Sequence, residues 1–195
     1  MTVVFRPARH DDAHEIARFF QITSEGGADY IWSLIAEPGA DLLAVGTARY
    51  AREGVNFSYE NCLIAEHQGR VIGMMHSYVM RHDPHAEPVT DPVLAPYADM
   101  EIPDTLYISS LGLDEGWRNK GLGANFLQAA QARCDELGLA GLSLISYAVN
   151  TGALRFYEHH GFHTVKSCQV TPHPLIRVTG EAYLMSRPVA GASSR

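Results

Sequence analysis

Two of the clearest elements in the hydrophobic pattern lie on either side of a glycine-containing turn. Residues 105–113 are an apolar run that predicts a strand. Beyond residue 121, apolar positions recur at the spacing of a helix face. These positions are Leu122, Phe126, Ala129, Ala130, Cys134 and Leu137. The basic turn between strand and helix therefore opens a helix.

The rest of the chain predicts helices and strands in mixed order. The first half has a strand at 2–6, a helix capped by Asp11 or Asp12, short helices at 29–36 and 41–52, and a hairpin of 61–67 with 70–80 around Gln68-Gly69. The second half has a buried strand at 142–149, a helix from Asn150 or Thr151 to His160, and an antiparallel pair at 163–170 and 181–187. Residues 81–104 carry five prolines and predict a long loop with one helical turn near 94–100, either a cover over a site or a surface insertion.

The turn at 118–124 has the chemistry of a phosphate site. A helix that starts there directs free backbone N–H groups and the positive end of its dipole at one point. Gly121 and Gly123 let a phosphate approach the backbone, and Arg118 and Lys120 add cationic donors. A P-loop is excluded, since Leu122 and Gly123 stand where Lys and Ser or Thr belong, and G-x-G-x-x-G is absent.

Two segments carry a resemblance to a known family. Arg118-x-x-Gly121-x-Gly123-Ala124 resembles the acetyl-coenzyme A pyrophosphate loop of the GNAT N-acetyltransferase superfamily. Asn150-x-x-Ala153-x-x-x-Tyr157-x-x-x-Gly161-Phe162 is similar to the superfamily's next block, at the expected distance. The resemblance implies an α/β (α+β) fold with a mixed, mainly antiparallel sheet of six or seven strands, flanking helices and splayed central strands.

The resemblance also implies a reaction and its residues. An acceptor's primary amine, in a small molecule or peptide, attacks acetyl-coenzyme A directly, and Tyr157 is the catalytic general acid. The implied cofactor-binding residues are Leu111, Leu113, Arg118, Asn119, Lys120, Gly121, Leu122, Gly123, Ala124, Asn150, Ala153 and Tyr157. Asn150 either binds cofactor or caps its helix. Gly112 within a strand indicates a bulge or a close approach of another element. A non-catalytic acyl-coenzyme A sensor, or a transferase with another acyl donor, remains an alternative.

The base and the acceptor are less constrained. Candidate bases are Glu101, Glu66, Glu60, His76 and Tyr107, and ordered water can serve instead. The superfamily selects acceptors with its N-terminal helices and with loops that correspond here to 24–60, 81–104 and 170–180. The 24–60 segment is rich in aromatic residues (Trp32, Tyr50, Phe57, Tyr59) and in acidic ones (Asp29, Glu37, Asp41, Glu53, Glu60). This composition suits a cationic small molecule or a protein N-terminus as the acceptor. It suits a solvated helix face equally.

The amino-acid composition limits the number of domains, the kinds of partner and the cellular compartment that we expect. At 46% hydrophobic residues the chain predicts one domain over 1–187, followed by a flexible tail at 188–195. A net charge of −7 argues against nucleic acid as a partner. No apolar run predicts a membrane span, and the three separated cysteines and early charge at Arg6 favour the cytoplasm. The histidines lack partners at ligand spacing, so no metal is expected, and a homodimer is left open.

Overall fold

The computed structural model describes residues 2–81, 83–85 and 87–189. Within these residues the chain forms five α-helices and seven β-strands. The strands are β1 (Val4–Pro7), β2 (Cys62–His67), β3 (Arg70–Met80), β4 (Thr105–Leu113), β5 (Gly141–Tyr147), β6 (His163–Gln169) and β7 (Glu181–Pro188). The helices are α1 (Ala13–Thr23), α2 (Gly27–Ser33), α3 (Leu42–Tyr50), α4 (Leu122–Glu136) and α5 (Thr151–His159).

The strands form one mixed sheet in the order β1-β2-β3-β4-β5-β7-β6. The pairs β1–β2, β2–β3, β5–β7 and β6–β7 are antiparallel, and β4 pairs with β5 in parallel through 105–108 and 141–144. The prediction of a mixed, mainly antiparallel sheet flanked by helices is confirmed. The splay of the central strands stays a prediction.

Contacts within the chain cluster in two compact units. The first comprises the described residues of 1–78, 109–126 and 175–177, and the second those of 79–108, 127–174 and 178–195. The prediction of one domain over 1–187 is not tested by this clustering.

The core of the first unit forms where α1 packs on α3. Phe20 of α1 contacts the rings of Trp32, Tyr50 and Phe57 at centroid distances of 6.1, 5.8 and 5.8 Å. Trp32 and Tyr50 are fully buried, so these aromatic residues of the 24–60 segment belong to the core. The hairpin of β2 and β3 forms as predicted, with Gln68 and Gly69 at positive φ in the turn between them.

The second unit holds the long segment that was predicted to be a loop. A short 3₁₀ turn at Ala95–Tyr97 interrupts it, and Val93 and Met100 are buried. Thr171 Oγ1 donates to the carbonyl of Pro92 at 2.9 Å, and Lys166 Nζ to that of Asp99 at 3.1 Å. Between residues 92 and 100 this segment is therefore attached to its own unit, while its role as a cover over a site or as a surface insertion stays a prediction.

Several local predictions need correction. Asp12 lies just before α1, but its carboxylate accepts from the Arg6 guanidinium and the Arg9 backbone N–H and does not cap the helix. A 3₁₀ turn at His10–Asp12 places it there. The tail was predicted to begin at Pro188, yet β7 includes Pro188, and Val189 N–H donates to Ala140 O at 3.0 Å. The rest of that tail, 190–195, lies outside the described residues.

Candidate functional site

The basic turn lies between β4 and α4, as the sequence predicts. After β4 the chain makes a 3₁₀ turn at Glu115–Trp117 and then enters α4 at Leu122. Arg118 Nε donates to the carbonyl of Leu113 at 3.2 Å, and Lys120 Nζ lies 5.1 Å from the Trp117 ring centroid. Asn119 and Gly121 have positive φ values of 59° and 81°. The turn is thus tied to the end of β4 while its cationic side chains stay exposed.

The first turn of α4 supplies backbone donors. Ala124 N–H and Asn125 N–H both donate to the carbonyl of Gly121, at 3.0 and 3.3 Å. The N–H groups of Gly121, Leu122 and Gly123 precede these bonds and take no part in the hydrogen bonding of the helix. A group of N–H donors at the positive end of a helix dipole, beside Arg118 and Lys120, suits a phosphate.

The strand β4 leads into this turn with alternating burial. Its half-buried positions include Leu111 and Leu113, and its buried positions include Ser110 and Gly112. The hydroxyl groups of Ser110 and Thr23 lie 2.7 Å apart. A Cβ at Gly112 would lie 2.8 Å from Thr23 Cγ2 and 3.1 Å from Phe19 Cδ1. Close packing of α1 therefore accounts for Gly112, and the predicted bulge stays a prediction.

The second motif forms α5 in the other unit. Asn150 is the N-cap, and its Oδ1 accepts from Ala153 N–H at 3.1 Å. The capping interpretation of Asn150 is thereby confirmed, and its contact with cofactor stays a prediction. The cap holds the entry to the helix that carries Tyr157.

Tyr157 presents an unengaged hydroxyl. Its ring packs against Phe156 and Phe162 at centroid distances of 5.3 and 5.6 Å. Its hydroxyl has no hydrogen-bond partner among the residues that the structure describes. Burial raises the pKa of Tyr157 to about 12, so the phenol is neutral at physiological pH and can donate a hydrogen bond.

The candidate bases have different surroundings. Glu66 accepts from Arg6 Nε at 2.7 Å, and Glu60 accepts from Gly54 N–H at 2.7 Å. Both carboxylates are therefore engaged in the fold, which lowers their suitability as proton acceptors. Glu101 is exposed and Tyr107 is half-buried.

His76, the remaining candidate, is fully buried. Its Nε2 lies 2.8 Å from the carbonyl of Asn56, and its Nδ1 bonds to the Ser109 hydroxyl. A carbonyl only accepts, so Nε2 carries the proton, and a neutral ring then accepts from Ser109 through Nδ1. This pair links β3 to β4 inside the first unit.

The acidic residues of the N-terminal helices are largely engaged. Asp29 accepts from Gln21 Nε2 at 2.6 Å and from Arg177 Nη1 at 3.0 Å. Asp41 caps α3 by accepting from Leu43 N–H at 3.0 Å. Asp29 and Asp41 therefore have structural roles in the first unit, while the cationic acceptor stays a prediction.

Two kinds of feature are absent from the described part of the chain. Across residues 2–81, 83–85 and 87–189, no three His, Cys, Asp or Glu side chains are grouped as a metal site would require. Among the same described residues, every helix is too short or too polar to cross a bilayer.

Comparison with known proteins gives one family and many similar folds. A sequence model of the acetyltransferase (GNAT) family matches residues 36–162. Comparison with curated protein sequences finds no match.

Three solved structures illustrate the similarity of fold. An N-acetyltransferase from Staphylococcus aureus Mu50 is 15% identical over 94% of this chain and 99% of that chain, with a TM-score of 0.67. The ribosomal-protein-S18-alanine N-acetyltransferase from Escherichia coli is 15% identical over 100% and 98%, with a TM-score of 0.60. Arabidopsis thaliana Naa50, in complex with the bisubstrate analogue CoA-Ac-MVNAL, is 16% identical over 96% and 99%, with a TM-score of 0.57.

Proposed function

Since the chain belongs to the acetyltransferase (GNAT) family and is therefore an acyltransferase, we propose that it acetylates the primary amine of a small molecule or peptide. Acetyl-coenzyme A is the proposed donor. The observation that carries the proposal is the group of backbone donors at Gly121, Leu122 and Gly123, which precede the hydrogen bonding of α4 beside two exposed cations. The Naa50 complex supports it by analogy, since that protein is bound to a coenzyme A–peptide conjugate.

The turn at 118–124 is the proposed site of the donor's pyrophosphate. The pyrophosphate accepts from the turn, where Arg118 and Lys120 supply charge and the glycines allow close approach. Backbone amides near Leu111 and Leu113 polarise the thioester carbonyl, which is stabilisation by fixed dipoles. The complete proposed set is Leu111, Leu113, Arg118, Asn119, Lys120, Gly121, Leu122, Gly123, Ala124, Asn150, Ala153 and Tyr157.

The proposed reaction is a direct transfer. The amine nitrogen forms a bond to the thioester carbon, the C–S bond breaks, and the electron pair leaves on sulfur. A free alkylammonium has a pKa of about 10.4, so the acceptor must lose a proton before it attacks. Tyr157 donates a hydrogen bond to the departing sulfur, which its neutral and unengaged hydroxyl supports. The acylated nitrogen releases its surplus proton to water as the amide forms, and the coenzyme A thiolate takes up a proton from water and leaves as the thiol.

A substitution in the turn tests donor binding. Gly123→Val places a branched side chain where the pyrophosphate would lie, and we expect acetyl-coenzyme A affinity in calorimetry to fall at least about tenfold, the loss of one charge-assisted contact. Gly116→Val is the matched control, because a Cβ at Gly116 meets no atom within 4 Å. Unchanged affinity in a folded Gly123→Val protein would contradict the proposal.

Thiol release then tests turnover. Free coenzyme A is measured with acetyl-coenzyme A and mixed primary amines, and a panel of other acyl esters identifies the preferred donor. Release that depends on the amine supports the transferase. Tight donor binding without amine-dependent release would instead favour the non-catalytic sensor.

A further inference from the structure

Arg49, in the last turn of α3, has no anionic partner among the residues that the structure describes. Its guanidinium lies 4.8 Å from the ring centroid of Phe57 and is half-buried. Its five N–H groups donate to no atom of the residues that the structure describes. A cation–π contact with Phe attracts the charge but satisfies none of these donors.

Other half-buried arginines of the same unit are paired. Arg6 donates to Asp12 and Glu66 at 2.7 Å, and Arg18 donates to Glu15 at 2.8 Å. In Arg49 the partial burial is uncompensated, and it lowers the pKa of the guanidinium, with the charge of Arg52 adding to the effect. A cation withdrawn from water without a counter-charge is unfavourable, and a bound anion removes that cost.

The two carboxylates that follow Arg49 before β2 are engaged elsewhere. Glu53 accepts from the Tyr59 hydroxyl at 2.8 Å, and Glu60 accepts from Gly54 N–H at 2.7 Å and from the Ser58 hydroxyl at 3.2 Å. The segment that follows α3 thus keeps its acids on its own backbone and hydroxyl groups. No carboxylate of the described residues pairs with Arg49, so its guanidinium is available to an anion from a bound molecule.

A continuous set of contacts links Arg49 to β4. The Phe57 ring lies 5.1 Å from the His76 ring, and His76 hydrogen-bonds to Ser109 of β4. Ser109 precedes Leu111 by two residues, and burial alternates regularly along the strand, so both lie on its half-buried face. The Phe57 ring, the His76 imidazole and the Ser109 hydroxyl therefore lie between Arg49 and β4. The proposed function assigns the thioester to this strand.

From these contacts we propose that Arg49 binds a carboxylate of the acceptor, so that the acceptor is an amine that also carries a carboxylate. This inference rests on the proposed function and specifies its substrate class. The planar fork of Arg49 matches both oxygens of a carboxylate, and the face of Phe57 holds the guanidinium in place. Free amino acids and peptides with an acidic side chain share this chemistry.

The test compares acceptors that differ only in charge. Acetyl transfer is measured for α-amino acids against their carboxamides, and for short peptides containing Asp or Glu against the same peptides with Asn or Gln. The proteins are wild type, Arg49→Met, which keeps an unbranched stem over Phe57, and Arg49→Lys. Arg52→Met is the matched control, because it removes an equal charge from an exposed arginine one turn away.

We expect wild type to prefer the charged member of one pair. Arg49→Met should lower kcat/KM for that acceptor about 10- to 150-fold, the range of a hydrogen-bonded charge, and leave its neutral counterpart unchanged. Arg49→Lys should recover part of the loss, and Arg52→Met should change little. Equal losses in Arg49→Met and Arg52→Met, or no preference for carboxylates in wild type, would overturn the inference.

Binding measurements distinguish a failure of this inference from a failure of the proposed function. Calorimetry with N-acetyl amino acids and their amides reports carboxylate binding without turnover. If wild type binds the acids and Arg49→Met does not, but no amine is acetylated, the carboxylate site stands and the transferase proposal fails. If amines are acetylated and no carboxylate binds through Arg49, the transferase stands and this inference fails.

Discussion

Replacing Tyr157 with Phe removes one hydroxyl and leaves the ring. The ring packs against Phe156 and Phe162, and those contacts persist in the variant. Because no described residue bonds to the hydroxyl, its loss strands no partner, and the free energy of unfolding should not fall. A change in rate can then be assigned to chemistry.

The expected size of that change follows from the acidity of the phenol. Burial raises the pKa of Tyr157 to about 12, whereas a thiol has a pKa of about 8.5. Full proton transfer to the departing thiolate is therefore uphill, by a free energy on the order of 5 kcal/mol. A hydrogen bond donated to the developing charge is instead favourable by about 1.5–3 kcal/mol. We expect kcat to fall about 10- to 150-fold.

The same pKa predicts how the loss depends on pH. Tyr157 keeps its proton below its raised pKa and loses it only as the pH rises through about 12. The ratio of wild-type to Tyr157→Phe kcat should therefore stay constant between about pH 6 and 10, well below that pKa.

The assay is thiol release at saturating acetyl-coenzyme A with the identified acceptor. Tyr183→Phe is the control, because it removes a hydroxyl that bonds only to Glu181, at 3.2 Å. A loss in Tyr157→Phe below about threefold would remove the hydroxyl from the reaction. A loss above about 10³-fold, or one that disappears near about pH 8, would show that Tyr157 transfers its proton as a full general acid, contrary to the reasoning from its pKa.

Two further predictions concern stability. Gly26→Ala should lower the free energy of unfolding by about 2–5 kcal/mol in denaturant titration, because a Cβ at φ +93° would lie 1.9 Å from the Leu175 carbonyl oxygen. Gly39→Ala, at φ +82° in open space, should cost only about 1–2 kcal/mol, and equal losses would refute the steric argument. Asp12→Asn should cost about 1.5–3 kcal/mol at neutral pH, because the Arg6 guanidinium lowers the pKa of Asp12. A lowered carboxylate pKa stabilises above the unfolded value and loses its effect as the pH falls, so the gap between the proteins should close towards about pH 3, and a constant gap would count against it.

Local signals explain why the two motif segments were predictable. The strand before the turn was predicted at 105–113 and β4 is Thr105–Leu113, followed by α4 from Leu122. The helix predicted from Asn150 or Thr151 begins at Thr151 with Asn150 as its cap. Glycines, caps and apolar spacing act over a few residues, so the sequence alone carries this information. The order of the strands in the sheet was not predicted and comes from the structure.

Partners far apart in sequence were not predictable. Asp29, one of the acidic residues of the 24–60 segment, pairs with Arg177, which lies 148 positions away. No sequence pattern predicted that Arg49 would lie half-buried on Phe57 without a carboxylate partner among the described residues. Nor did one predict the hydrogen bond between His76 and Ser109. The sequence by itself thus determined the family, the elements and the turn that can receive a phosphate, because short-range patterns encode them. Only the tertiary structure decided which charges are neutralised and which stay available to a substrate, because ion pairing depends on distances that packing alone sets.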